Sequence, residues 1–67
     1  MPIIHVRLLE GRNDQKLDEL SAALTRTTAQ VLDSPPERIR LVITETPKSK
    51  WFVGGQSIAR LEANDGS

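Results

Sequence analysis

Asp33-Ser34-Pro35-Pro36, followed by Arg38-Ile39-Arg40-Leu41-Val42-Ile43-Thr44-Glu45, is the stretch that decides the fold. Proline removes a backbone donor and disfavours helical geometry in the residue before it, so a helix arriving at Asp33 must end there. The residues from Arg38 to Glu45 then alternate. Ile39, Leu41 and Ile43 point one way and Arg40, Val42 and Thr44 the other, which is the period of a strand. Upstream of the break, Leu17, Leu20, Leu24, Thr28 and Val31 recur at three- and four-residue steps, while Asp18, Glu19, Arg26 and Gln30 occupy the other faces. That spacing predicts an amphipathic helix of about five turns beginning near Asp14. Before it, Ile3-Ile4-His5-Val6-Arg7-Leu8-Leu9 reads as a first strand with Ile4, Val6 and Leu8 on one face. Glu10-Gly11-Arg12-Asn13 supplies the turn between them. Gly11 can take a positive φ, Asn13 can cap the helix, and Asp14 sits well for the helix dipole.

The unit is therefore β-α-β, an α/β (α+β) protomer. Two strands joined by a crossover helix in one sheet are expected to be parallel and right-handed, with the helix covering one face. The uncovered face carries His5, Arg7 and Arg40 beside Ile3, Leu9 and Val42, too mixed for solvent and suited to another subunit. Beyond Pro47, Gly54-Gly55 is a turn signal between Phe52-Val53 and Ser57-Ile58-Ala59, which predicts a short C-terminal hairpin. It sets Trp51 and Phe52 side by side in a loop region, where a chain short of core is expected to use one of them to line something. Residues from about 62 to 67 read as a frayed polar tail on a single domain spanning 1–67.

A chain of 67 residues buries only about 60% of the surface it exposes when unfolded, so its own core is thin. No cysteine is present to form a disulfide, and a single histidine without cysteine does not make a structural zinc site. No metal or cofactor is expected, and association with other chains is the remaining route to stability. Nine basic and nine acidic side chains balance, so no overall positive field draws the chain to nucleic acid or to an anionic membrane. No apolar run approaches the roughly 20 residues that span a bilayer, and the start lacks a signal-peptide pattern, which makes the cytoplasm the default expectation.

Met1-Pro2 opens directly into the first strand. A small second residue permits removal of the initiator methionine, which would leave Pro2 a free secondary amine; with Met1 retained, the same nitrogen is an amide without useful basicity. An ordinary α-amino group titrates near ~8. Burial or neighbouring cations would bring such an amine close to ambient pH, where a base is most useful. The plain alternative is that Pro2 merely begins an edge strand. Arg40 starts the second strand and so lies at the same end of a parallel pair as Pro2. Arg12 follows the first strand and stands on the order of 25 to 30 Å away at about 3.3 Å per residue. A site that uses Arg12 with Pro2 must therefore be shared between chains. The alternative for either arginine is a solvated ion pair of little energetic weight.

Pro2, Leu9-Glu10-Gly11-Arg12, Asp33-x-Pro35, Arg40-Leu41-Val42-Ile43-Thr44-Glu45 and Trp51-x-x-Gly54-Gly55 occur in one order and spacing, and in this the chain resembles the 4-oxalocrotonate tautomerases, also called 2-hydroxymuconate tautomerases. The resemblance runs from residue 2 to about 60 without a gap. It implies a β-α-β protomer assembled as a homohexamer, a trimer of dimers, that acts on a small dicarboxylate enol. It also implies Pro2 as catalytic base and acid, catalytic Arg12 and Arg40 handling carboxylate and carbonyl oxygens, and substrate contacts from Leu9 and Trp51. Two positions depart from the pattern. Phe52 stands where better-known members have glycine, and Asn13 where serine is common. His5 is expected at an interface or in solvent, and Glu10 in a structural role beside the Gly11 turn. Relatives that decarboxylate or add water across unsaturated acids, and a non-catalytic assembly module, are the competing readings. The absence of tyrosine weighs against the second chemistry, and the joint presence of Pro2, Arg12, Arg40 and Trp51 against the module.

Overall fold

The computed structural model describes residues 1–65. The elements in order are strand β1 (Ile3–Leu9), helix α1 (Asp14–Leu32), strand β2 (Arg40–Thr46), strand β3 (Phe52–Val53), strand β4 (Gln56–Ser57) and helix α2 (Ile58–Asp65). β1 and β2 pair in parallel from Ile3 opposite Arg40 to Leu9 opposite Thr46, which makes the β-α-β unit that the alternation and the proline break dictate.

Local chemistry fixes the ends of α1. The Asn13 side chain accepts a hydrogen bond from the Lys16 amide at 2.9 Å, satisfying one of the free donors of the first turn. Gly11 has φ 134°, a conformation that side chains rarely take, and it turns the chain out of β1. At the other end Asp33 adopts the left-handed conformation, φ 52°, and its amide donates to the Ala29 carbonyl, closing the helix before the prolines.

β2 begins two residues later than the alternation suggests. Pro36–Arg38 forms a 3-10 turn in which the amides of Arg38 and Ile39 donate to Pro35 and Pro36, each at 3.0 Å, so Arg38 is spent on the turn. The two faces of the sheet come out as expected. Ile4, Val6 and Leu8 align with Leu41 and Ile43 as a half-buried layer, while Ile3, His5 and Arg7 stand opposite Arg40, Val42 and Thr44 on an exposed one. Val31 departs from the expectation. It is 77% exposed, so in the single chain the core face of α1 ends a turn earlier.

The C-terminal part needs a larger correction. β3 and β4 form an antiparallel hairpin two residues deep, with Phe52 opposite Ser57 and Val53 opposite Gln56. Ile58 and Ala59, expected to continue the hairpin, instead open α2, and this helix runs to Asp65 through much of the stretch expected to fray. The Ser57 hydroxyl accepts from the Arg60 amide at 3.2 Å as an N-terminal cap, and Lys48 Nζ meets Glu62 Oε2 at 2.6 Å, tying the helix to the preceding turn. Gly66 and Ser67, the end of that expected tail, lie outside the described residues.

Among the described residues Ile39, 7% exposed, is the one buried hydrophobic side chain. The radius of gyration is 15.8 Å, against about 11 Å for a compact domain of this length. The accessible surface of 5225 Å² likewise exceeds the roughly 4200 Å² expected for a folded chain of this mass. The excess takes the form of an elongated body, 49 × 24 × 15 Å, with apolar side chains such as Ile3 (70% exposed) and Val42 (52%) on the uncovered sheet face.

Candidate active site

Pro2 is half-buried at the head of β1, and its carbonyl accepts from the Arg40 amide at 3.0 Å. The first residue pair of the parallel ladder thus fixes Pro2 beside the start of β2. Met1 is 79% exposed. Arg40 Nη1 donates to the Glu37 carbonyl at 2.8 Å, which steadies the guanidinium against the 3-10 turn and leaves most of its donors unused. Arg40 therefore presents an oriented cation at the same end of the sheet as Pro2.

The other candidates gather at the opposite end. Leu9 is the last residue of β1, and its carbonyl accepts from Arg12 Nη1 at 3.1 Å, so the turn that Gly11 makes brings the guanidinium back onto the strand end. Trp51 follows the turn after β2, half-buried, with its carbonyl accepting from the Ile58 amide at 2.8 Å. Arg7, Thr46, Lys50, Trp51 and Phe52 line an open cleft of about 310 Å³ there. Within one chain the fold brings Pro2 to Arg40, and Leu9, Arg12 and Trp51 to the far end of the same two strands; it does not bring the two groups together.

Of the cleft residues, Arg7 was expected only on the face suited to another subunit, and Thr46 and Lys50 carried no expectation. The available signal was Lys50 immediately before two aromatics, together with the parity that puts Arg7 on the uncovered face. His5 Nε2 and the Thr44 hydroxyl lie 2.8 Å apart across that face. No helix among the described residues is long and apolar enough to cross a membrane.

Known proteins share this fold. The family model described as tautomerase enzyme matches residues 2–60. A 2-hydroxymuconate tautomerase of Pseudomonas putida is 38% identical over 61 residues, covering 91% of this chain and 97% of the relative. Among solved structures, TomN, a 4-oxalocrotonate tautomerase homologue in the tomaymycin biosynthetic pathway, is 45% identical with a TM-score of 0.89, over 92% of this chain and 95% of that one. A heterohexamer 4-oxalocrotonate tautomerase from Chloroflexus aurantiacus J-10-fl is 39% identical with a TM-score of 0.85, over 91% and 98%. The match begins at Pro2 and runs through both strands, the helix and the hairpin, and with it the chain belongs to the 4-oxalocrotonate tautomerase family of the tautomerase superfamily and is an isomerase.

Proposed function

We propose that the chain, once Met1 is removed, converts a small 2-hydroxy-dienoate dicarboxylate such as 2-hydroxymuconate to its 2-oxo isomer, with the Pro2 amine carrying the proton. The neutral amine takes the enol O–H proton as the oxygen electrons form the carbonyl and the double-bond electrons shift along the chain. The resulting prolinium returns that proton to carbon, so no atom is gained or lost. Arg40 stabilises the oxygen on which negative charge develops, and Arg12 holds the distal carboxylate through its planar fork. Leu9 and Trp51 supply an apolar wall that limits water around the amine and keeps it in its basic form.

The observation that carries this reading is the division of the candidates between the two ends of one parallel pair. Such a division yields a working site only when the Pro2 end of one protomer meets the Arg12 end of another. The exposed sheet face and the extended body support self-association, and the heterohexameric relative is an assembly of the kind required. A homohexamer built as a trimer of dimers is the arrangement we infer.

The test combines intact mass with ultraviolet-monitored ketonisation of 2-hydroxymuconate. Loss of Met1 with rapid turnover is the expected result, together with loss of most turnover in Pro2→Ala. A fully active Pro2→Ala enzyme would overturn the mechanism.

A further inference from the structure

The cleft at the far end of the sheet holds two cations that the reading above does not use. Arg7 projects from the uncovered face of β1 and Lys50 from the turn before Trp51, and both line the cleft with Thr46, Trp51 and Phe52. No carboxylate is among its lining residues, and among the described residues neither Arg7 nor Lys50 is in an ion pair; the two surface pairs are Lys16 with Glu19 and Lys48 with Glu62. Charge in the whole chain balances at nine against nine, so two unpaired cations facing one cleft form a local excess. Glu45, exposed two residues along β2 from Ile43 and opposite Leu8, is the acidic group of the neighbouring strand, and it is not part of the lining. The cleft also has a planar wall, because Trp51 is half-buried and Phe52, 58% exposed, stands beside it where a glycine would leave the space open.

We infer that this cleft adds a second set of anion donors at the Arg12 end, in which Arg7 and Lys50 share with Arg12 the distal carboxylate of a planar unsaturated diacid, held against Trp51 and Phe52, and so strengthen the enzyme's preference for diacids over monoacids. The chemistry suits it. Ammonium and guanidinium donors make charge-assisted hydrogen bonds to a carboxylate that are about twice as strong as neutral ones. The aromatic pair favours a flat conjugated chain over a saturated one. Thr46 adds a hydroxyl that can donate to the same anion. The cleft lies at the Arg12 end, so it serves the Pro2 of another protomer, and Arg7 and Lys50 act on binding and specificity rather than on the proton.

The inference rests on the proposed tautomerase reading, and binding of unreactive acids separates the two. Calorimetric titration of the processed wild-type protein with muconate and with its monoacid counterpart sorbate gives the diacid preference without any turnover. Lys50→Met is expected to lower the muconate-to-sorbate affinity ratio about tenfold, and Lys50→Arg to restore most of it. The wild-type ratio should also fall as salt rises from low to physiological strength, because the pair faces solvent. Arg7 sits on the face expected to meet another chain, so Arg7→Met is read only alongside sedimentation. Lys50→Met, on a turn, carries the test if Arg7→Met fails to assemble. An unchanged ratio in Lys50→Met overturns the inference, whether or not the enzyme turns over 2-hydroxymuconate. A ratio that collapses in an enzyme inactive on 2-hydroxymuconate keeps the anion position and discards the proposed substrate.

Discussion

Arg12 and Arg40 are chemically the same side chain, and the structure gives them different surroundings. Arg40 is steadied by the Glu37 carbonyl beside Pro2, where charge would build up on the substrate oxygen during proton transfer. Arg12 is steadied by the Leu9 carbonyl at the far end, where it would meet a carboxylate whose charge does not change during the reaction. An interaction that strengthens in the transition state lowers kcat when lost, and one made equally in both states raises KM. Arg40→Ala is therefore expected to lower kcat by about 10²-fold with little change in KM. Arg12→Ala is expected to raise KM about tenfold or more with a smaller effect on kcat. Steady-state kinetics on 2-hydroxymuconate separates the two, and equal losses in both parameters for both variants would contradict the assignment. Lysine at position 12 should rescue only part of the binding, because an ammonium cannot offer the guanidinium's two parallel donors.

The helix between the strands shows how much of the fold could be read from the chain. Its start was legible because Gly11, Asn13 and Asp14 each have a local physical meaning, and the structure uses Gly11 and Asn13 as their chemistry suggests. Asn13→Ala is expected to destabilise the protein by about 1 kcal/mol through loss of the cap. Asp33 holds a left-handed conformation that glycine adopts without penalty, so Asp33→Gly should be neutral or stabilising by up to about 1 kcal/mol. Denaturant unfolding at fixed protein concentration measures both, the concentration being held because association contributes to stability. The parallel pair was legible for a similar reason: alternation over residues 3–9 and 38–45 leaves one face apolar, although the second strand itself runs Arg40–Thr46. α2 was not. Its eight residues offer only Ile58 and Leu61 as an apolar stripe, too short a span for a helical period to stand out from a hairpin strand. Its stabilising partners, Lys48 and the Trp51 carbonyl, lie in preceding segments that only the folded chain brings near. The site was legible in part on the same grounds. Strand order places Pro2 with Arg40 and apart from Arg12, whereas the Arg7 and Lys50 cleft depends on how the turn after β2 folds back over β1, of which the chain gives only the parity of Arg7 and the place of Lys50 before two aromatics.

At the scale of the whole molecule, one chain is a partial object. Its radius of gyration, its excess surface and, among the described residues, its one buried hydrophobic side chain all describe a protomer with exposed apolar faces. The separation of Pro2 from Arg12 by the length of β1 makes the same demand on the chemistry. These two needs have one solution if the contact that buries the uncovered sheet face also joins the two half-sites. Mixing two variants tests that directly when activity is read well below KM, where Arg12→Ala is expected to keep about a tenth of the wild-type rate. Pro2→Ala protein keeps an intact Arg12, and Arg12→Ala protein keeps an intact Pro2, so each alone contains no complete site. After the two are unfolded together and refolded at equal amounts, sites that combine Pro2 from one chain with Arg12 from another should reappear at about a quarter of the wild-type number for random assembly. Activity at that low substrate level should rise to roughly that proportion of wild type, well above the average of the two variants alone, and sedimentation of the mixture should give one species several times the mass of the single chain. If each site were instead complete within one chain, the mixture would show no more than the average of the two variants measured alone, and refolding them together would add nothing.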